Sequence, residues 1–309
     1  MIFDILLPML LLMGTGYCSV KLDLLTVEQM KGVGSYVIKI ALPALILHAL
    51  ASKNLHEIWL PPYLMAYAGG SLLLYGLTYW IYKHYFRYNL TQSAVMSMGG
   101  AMSNTGLIGS AILPIIMPTH AVIYLSLTLM IENLLMITMV LFLAEAGLQV
   151  QHDRGSMLLK SLISLLKNPL VIVIVLSMLA VIFQIKIPSQ IDHVLDLLGK
   201  TASPLALFVI GGSLVSLSLK ALDGQTIFLS LIKTILMPVV IFSLFLLMPQ
   251  ASYTLEMQHA ATLIAALPMP IIFGLLGQAY GLEQRSIAAL MLSTILGFIG
   301  IACLISYWC

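Results

Sequence analysis

Charge is what this sequence has least of. Asp, Glu, Lys and Arg make up 8% of its 309 residues and hydrophobic residues 61%, where a soluble domain carries about 25% charged residues. With a mean hydropathy of +1.05, the chain reads as a polytopic membrane protein, which excludes the soluble enzyme classes. A formal net charge of +2 with no basic tract argues against a nucleic-acid partner. The three cysteines, Cys18, Cys303 and Cys309, are too few and too scattered for a disulfide framework or a metal site; they read as small core hydrophobes. No phosphate-binding loop, catalytic-triad spacing or metal-ligand cluster occurs, so no catalytic residue, metal or cofactor is expected. The opening Met-Ile-Phe-Asp lacks the basic region of a signal peptide, and no small-x-small site closes the first apolar run, so no segment is expected to be removed.

The longest gap in the charge pattern is the most informative. From Tyr88 to Ile131 there is no Asp, Glu, Lys or Arg. As a helix at 1.5 Å per residue this run would reach roughly 66 Å, about twice the hydrocarbon thickness. It must cross twice, turning near Pro118-Thr119-His120. The first crossing then carries Gly99-Gly100-Ala101-Met102-Ser103-Asn104-Thr105-Gly106 near its middle. Gly99 and Gly100 suit a helix end, and Ser103, Asn104 and Thr105 suit a helix start. An interrupted helix at that depth is tolerated only where its free backbone groups line a cavity or are covered by protein.

Ten apolar spans follow along the chain, at about 2–20, 34–51, 58–82, 91–117, 121–147, 168–185, 202–219, 226–248, 257–280 and 286–308, each near the roughly 20 residues a crossing needs. Residues 191–199 read as an amphipathic lead-in to the seventh. Basic residues in the odd-numbered loops (Lys21, Lys31, Lys83, Arg87, Arg154, Lys160, Lys167, Lys220, Arg285) outnumber those elsewhere (Lys53, Lys186, Lys200). The odd loops are therefore placed in the cytoplasm and both termini outside.

The two groups of five spans register with each other. Pro8 to Pro43 and Pro169 to Pro204 are both 35 residues apart. With a small shift, the polar break of span 4 falls beside Leu267-Pro268-Met269-Pro270 in span 9. There two prolines remove backbone donors and must break the helix. Five spans per half make the repeat inverted, and paired interrupted helices in inverted halves point to a transporter's substrate site. The expected architecture is an all-α membrane protein with ten transmembrane helices in an inverted 5+5 repeat, helices 4 and 9 broken and crossing at mid-membrane. Residues 1–148 form the first repeat, 149–166 a cytoplasmic linker and 167–309 the second repeat.

Asn104-Thr105-Gly106, Leu42-Pro43-Ala44 and Ala266-Leu267-Pro268 resemble the motifs of the auxin efflux carrier family, bacterial type, within the wider group that holds the bile acid–sodium symporters. The resemblance spans the whole chain. It implies a scaffold of helices 1, 2, 6 and 7, a mobile transport domain of helices 3–5 and 8–10, assembly as a homodimer through the scaffold, and Asn104 as a substrate-contacting position. Span 9 departs from the symmetry by having no Asn at its break.

Half-helix N-termini at the two breaks would offer N–H groups and partial positive charge to a carboxylate. The candidate substrate-binding residues are Asn104, Ser103, Thr105, Gly106, Pro43, Pro268, Met269 and Pro270; alternatively the polar ones satisfy one another where two helices cross. Ionisable residues inside spans are costly and mark function. Glu132, with Asn133 beside it in span 5, reads as a proton or cation carrier or as a carboxylate holding its domain together. Ser293 and Thr294 in span 10 read as oxygen ligands or as back-bonded to their own helix. Lys39 and Lys233 read as attractors of an anion or as snorkelling side chains. The function expected is a secondary active transporter of a small organic anion, a mono- or dicarboxylate, in the cytoplasmic (inner) membrane. H+ or Na+ is the candidate coupling ion. The alternatives are sodium-coupled symport of a larger anion and an anion channel.

Overall fold

The computed structural model describes residues 2–51, 60–117, 119–149, 169–183, 185, 187–216 and 221–308. All regular structure among them is helical. In chain order the α-helices are α1 (Ile2–Lys21), α2 (Val27–Tyr36), α3 (Leu42–Ala51), α4 (Pro61–His84), α5 (Leu90–Ala101), α6 (Ser110–Ile116), α7 (Ala121–Met130) and α8 (Thr138–Gln149). They continue with α9 (Pro169–Ile182), α10 (Ser189–Lys200), α11 (Ala202–Ser213), α12 (Gly224–Leu231), α13 (Met237–Leu246), α14 (Leu255–Ala266), α15 (Ile271–Ala279) and α16 (Glu283–Trp308). The expected cytoplasmic linker, 149–166, lies outside the described residues apart from Gln149.

Among the described residues, six helical stretches are long and apolar enough to cross a membrane: Val27–His48, Ile123–Leu148, Ser189–Ser213, Gly224–Leu246, Leu255–Ala279 and Glu283–Trp308. The protein is an integral membrane protein. Ser189–Ser213 joins the amphipathic lead-in α10 to α11, so the seventh apolar span starts earlier than its hydropathy alone indicates.

Helix starts follow local chemistry. Thr26 and Asn89 each form a capping box with the Gln three residues on, and Asp223 and Thr254 accept the N–H of Thr226 and Met257. Each such cap satisfies a donor that the first helical turn leaves without a partner.

Three helices continue through π-helical turns: Val37–Ala41 between α2 and α3, Ile131–Ile137 between α7 and α8, and Ile232–Leu236 between α12 and α13. A fourth π turn, Thr105–Gly109, leads into α6. The ionisable residues singled out inside spans, Lys39, Glu132 and Lys233, each sit on one of these turns. A π turn adds one residue to the winding and re-aims its side chains, and such turns gather at functional sites.

The chain divides into two compact units. The first comprises residues 3–59 and 141–217. Within it α1 and α11 approach so closely that a Cβ on Gly16 would lie 1.9 Å from the Phe208 carbonyl oxygen, and one on Gly211 2.0 Å from that of Met13. Only glycine permits this backbone approach. His48 on α3 is tied to α10 by a 2.7 Å bond from Nδ1 to Asp192 Oδ1.

The second unit comprises residues 60–140 and 218–309. Its most buried span is Leu255–Ala279, whose most apolar window is 89% buried. Along α4, Tyr63, Tyr67, Leu74, Tyr75, Thr78 and Tyr82 share one buried face. Each tyrosine hydroxyl finds a partner: Thr128 Oγ1, Glu132 Oε1, the Ala94 carbonyl and the Gln225 carbonyl in turn. At one end of this unit Arg285 pairs with Asp223 at 3.4 Å and donates to the Tyr88 hydroxyl. Tyr88 in turn bonds Gln225 Oε1 at 2.8 Å.

Candidate functional site

Both expected breaks are present, in the second unit. Helix α5 ends at Ala101, and Met102 caps it in an extended conformation (φ −128°, ψ 152°). Ordinary continuation would have sent the Ser103 and Asn104 N–H groups back to the carbonyls of Gly99 and Gly100. Instead Ser103 N–H donates to Glu132 Oε1 at 2.9 Å, and Asn104 N–H donates to the Pro268 carbonyl at 2.9 Å. The chain then resumes as a helix, with the N–H groups of Ile108 and Gly109 both donating to the Asn104 carbonyl.

Helix α14 ends at Ala266 and α15 begins at Ile271. Pro268 and Pro270 withhold the donors that Ile264 and Ala266 would use; Leu267 N–H bonds Ile264 O in a tighter turn. Met269 N–H turns away to Ser293 Oγ at 3.3 Å, which leaves the Ala265 carbonyl without its helical donor. Lys233 Nζ takes it at 2.5 Å.

Lys233 is therefore not a snorkelling side chain: it is fully buried. Its ammonium also donates to Ser103 Oγ at 2.9 Å and lies 3.1 Å from Met237 Sδ. A buried cation is tolerated when its donors are all used, and here three acceptors meet three N–H bonds. The Tyr67 hydroxyl lies 3.1 Å from both Glu132 Oε1 and Ser103 Oγ, so its one proton is shared between them. Ser103 is the hinge of the cluster, bonded through its backbone to the carboxylate and through its hydroxyl to the ammonium. The electrostatics are consistent with the backbone. The Lys233 ammonium reaches the C-terminal end of α14 and the Glu132 carboxylate the start of the half-helix after the span 4 break, where dipoles favour a cation and an anion respectively.

Several expected residues meet here: Ser103, Asn104, Pro268, Met269, Glu132, Ser293 and Lys233, with Pro270 capping α15. Asn104 is 6% exposed, and among the described residues its carboxamide has no hydrogen-bond partner. Thr105 Oγ1 is buried with no partner at hydrogen-bonding geometry, although it faces the Glu132 carboxylate.

Others stand apart. Asn133 Nδ2 bonds the Leu129 carbonyl and Thr294 Oγ1 the Leu290 carbonyl, each in its own helix. Ser293 Oγ also donates to Leu290 O. Gly106 is exposed. Lys39, exposed, and Pro43, buried, belong to the first unit.

Two local expectations change. Gly99 and Gly100 do not end the helix; they lie inside the last turn of α5, where a Cβ would meet Phe273 Cζ at 2.9 Å and Thr78 Oγ1 at 2.9 Å. They are needed for close packing, not for a left-handed cap. Nor do the side chains of Ser103 and Thr105 cap the following half-helix: the Ser103 hydroxyl faces Lys233 and Tyr67. Sequence alone does not single out Tyr67, Ala265 or Met237. The tyrosines of α4 at positions 63, 67 and 75 carry a signal in their helical spacing, whereas a backbone carbonyl and a methionine carry none.

The chain matches the membrane transport protein family over residues 1–306. It is 22% identical over 296 residues to a protein of Rhizobium meliloti (strain 1021) named "Putative malonate transporter", covering 96% of this chain and 92% of that one. It is 25% identical over 302 residues to "Uncharacterized transporter YfdV" of Escherichia coli (strain K12), covering 95% and 93%. With its broken helices and buried charges in place, the chain belongs to the membrane transport protein family, that of the auxin efflux carriers its motifs resemble, and is a membrane transporter rather than an enzyme.

Proposed function

We infer that this protein is a secondary active transporter of a small organic anion, a mono- or dicarboxylate, bound where the breaks at 102–104 and 267–270 meet. The observation that carries the reading is the bond from Asn104 N–H to the Pro268 carbonyl, beside a buried Asn104 carboxamide with unused donors. A carboxylate seated there meets amide donors, the N-terminal end of a half-helix, and the ammonium of Lys233 one residue away on Ser103. The relative named for malonate supports the dicarboxylate class.

Alternating access of the elevator type follows if the unit of residues 60–140 and 218–309 is the mobile transport domain and the other unit the scaffold. The division into two units supports that assignment, and the paired breaks support the ten-helix inverted repeat. Glu132, at depth and hydrogen-bonded to the site, is the proton carrier of this scheme. The inner membrane, outside termini and a homodimer through the scaffold complete the reading. A channel would need a continuous polar path, whereas the buried charged side chains among the described residues, Glu132 and Lys233, meet at one cluster around Ser103.

A thermal-shift screen of purified protein against organic acids, malonate included, tests the site. One acid should raise the melting temperature of the wild type and leave Asn104→Ala unmoved. No stabilising acid sinks the substrate class, and an equal response from Asn104→Ala sinks the placement.

A further inference from the structure

We propose that the ammonium of Lys233 is a built-in cation, occupying a seat made for a free monovalent ion, so that this transporter works without sodium. The inference rests on the transporter reading of the same site and assigns its ion requirement.

The seat is defined by its ligands. Ala265 offers a carbonyl that the proline break has deprived of its donor, at 2.5 Å from Nζ. Ser103 offers a hydroxyl oxygen at 2.9 Å. Around them stand the Glu132 carboxylate, bonded to Ser103 N–H, the Tyr67 hydroxyl at 3.1 Å from Ser103 Oγ, and Thr105 Oγ1, wholly buried and facing the same carboxylate. Carbonyl, hydroxyl and carboxylate oxygens gathered around a helix break are the donor set of a dehydrated alkali cation. Met237 Sδ is the one soft neighbour.

The placement also suits a tether. Lys233 rises from the π turn Ile232–Leu236, which aims its side chain across α14 to Ala265 and on to Ser103. The positive charge is thus fixed to α12–α13 and bridges both breaks. It makes the Ser103–Glu132 side of the site attractive to an anion whether or not a salt ion is present. Glu132, Tyr67 and Lys233 are the titratable groups bonded within this cluster.

The test removes the tether and offers free cations. Purified wild type is compared in choline, sodium, potassium and methylammonium chloride at constant ionic strength. Its melting temperature should be the same in all four. Lys233→Ala should melt lower in choline and recover by several degrees, saturably, in sodium or methylammonium. Adding Thr105→Val and Ser103→Ala should remove that recovery. A saturable sodium stabilisation of the wild type overturns the proposal, and so does a folded Lys233→Ala that responds to no small cation. If Lys233→Ala cannot be purified in any salt, Lys233→Met/Glu132→Gln decides: recovery of the fold shows that the lost charge was the fault, and no recovery overturns the proposal. Malonate stabilisation of the wild type is read in the same plate, so a wrong substrate class leaves the cation result standing.

Discussion

The two breaks achieve the same backbone outcome by opposite means. Between Ala266 and Ile271 the interruption is covalent: Pro268 and Pro270 have no N–H to give, so two bonds of the helical ladder are missing whatever surrounds them. Between Ala101 and Thr105 nothing in the residues forbids a helix. Ser103 and Asn104 carry ordinary N–H groups, and these have been drawn off by Glu132 and by the Pro268 carbonyl. One break is intrinsic and the other conditional. The conditional one holds the polar side chains and the charged neighbours. Stability at this site therefore hangs on side-chain chemistry 29 residues away in sequence, and the proline break serves as the fixed post to which Asn104 is tied.

The sharpest way to break this comparison is Glu132→Ala. It strips Ser103 N–H of its acceptor and leaves the Lys233 ammonium buried without a counter-charge, a loss of about 3–5 kcal/mol read as a fall in melting temperature. Glu132→Gln keeps an acceptor and should fall markedly less. If both variants melt as the wild type does, the break of span 4 does not depend on the carboxylate.

Tyr67→Phe comes next. It removes the proton shared by Glu132 and Ser103 while keeping the ring, and the buried acceptors should cost about 1–3 kcal/mol. Gly100→Ala is expected in the same range, about 1–3 kcal/mol for overpacking against Thr78 Oγ1 and Ile232 Cγ2. A neutral result there would mean that Gly100 ends the helix by conformation and not by packing.

Pro268→Ala sharpens the comparison from the other side. An interior proline resists a helix by about 3 kcal/mol, yet the carbonyl of residue 268 survives the change. The break should persist because Asn104 N–H and Ser293 Oγ still hold it. Stability should change by about 1 kcal/mol, because the pyrrolidine ring no longer packs beside Gly297. Spin-label distances across α14 and α15 that lengthen toward a continuous helix would overturn this. Asn104→Ala should be the smallest in stability, about 0.5 kcal/mol or less, since its side chain bonds no described residue. Its effect belongs to the anion response.

How much of the site is legible in the sequence differs between the two breaks for the same reason. Prolines act on their own backbone, so Pro268 and Pro270 mark the second break residue by residue. Glu132 is recognisable as a carboxylate at depth because charge is rare in this chain, but its partner is not, since pairing across 29 residues depends on helix packing. Lys233 shows the limit most clearly. Its position seven residues inside an apolar span suits snorkelling as well as burial, and local sequence carries no measure of which way a π turn points. Gly99 and Gly100 mislead in the other direction: a Gly pair before Ser-Asn-Thr looks like a helix end, and only neighbouring Phe273 and Thr78 reveal it as a packing site.

Composition and pattern by themselves determined that this chain is an all-helical membrane protein, roughly where its apolar spans lie and that two of them break, because apolar burial and missing donors are properties of single segments. Tertiary structure alone decided that Asn104 is tied to Pro268 and that Ser103 joins a buried carboxylate to a buried ammonium. It also decided that the Ala265 carbonyl, left open where Met269 N–H turns to Ser293, is filled by Lys233. Those outcomes depend on which donors and acceptors packing brings within hydrogen-bonding reach of each other, and in a dry interior an unpaired group is too costly to leave to chance.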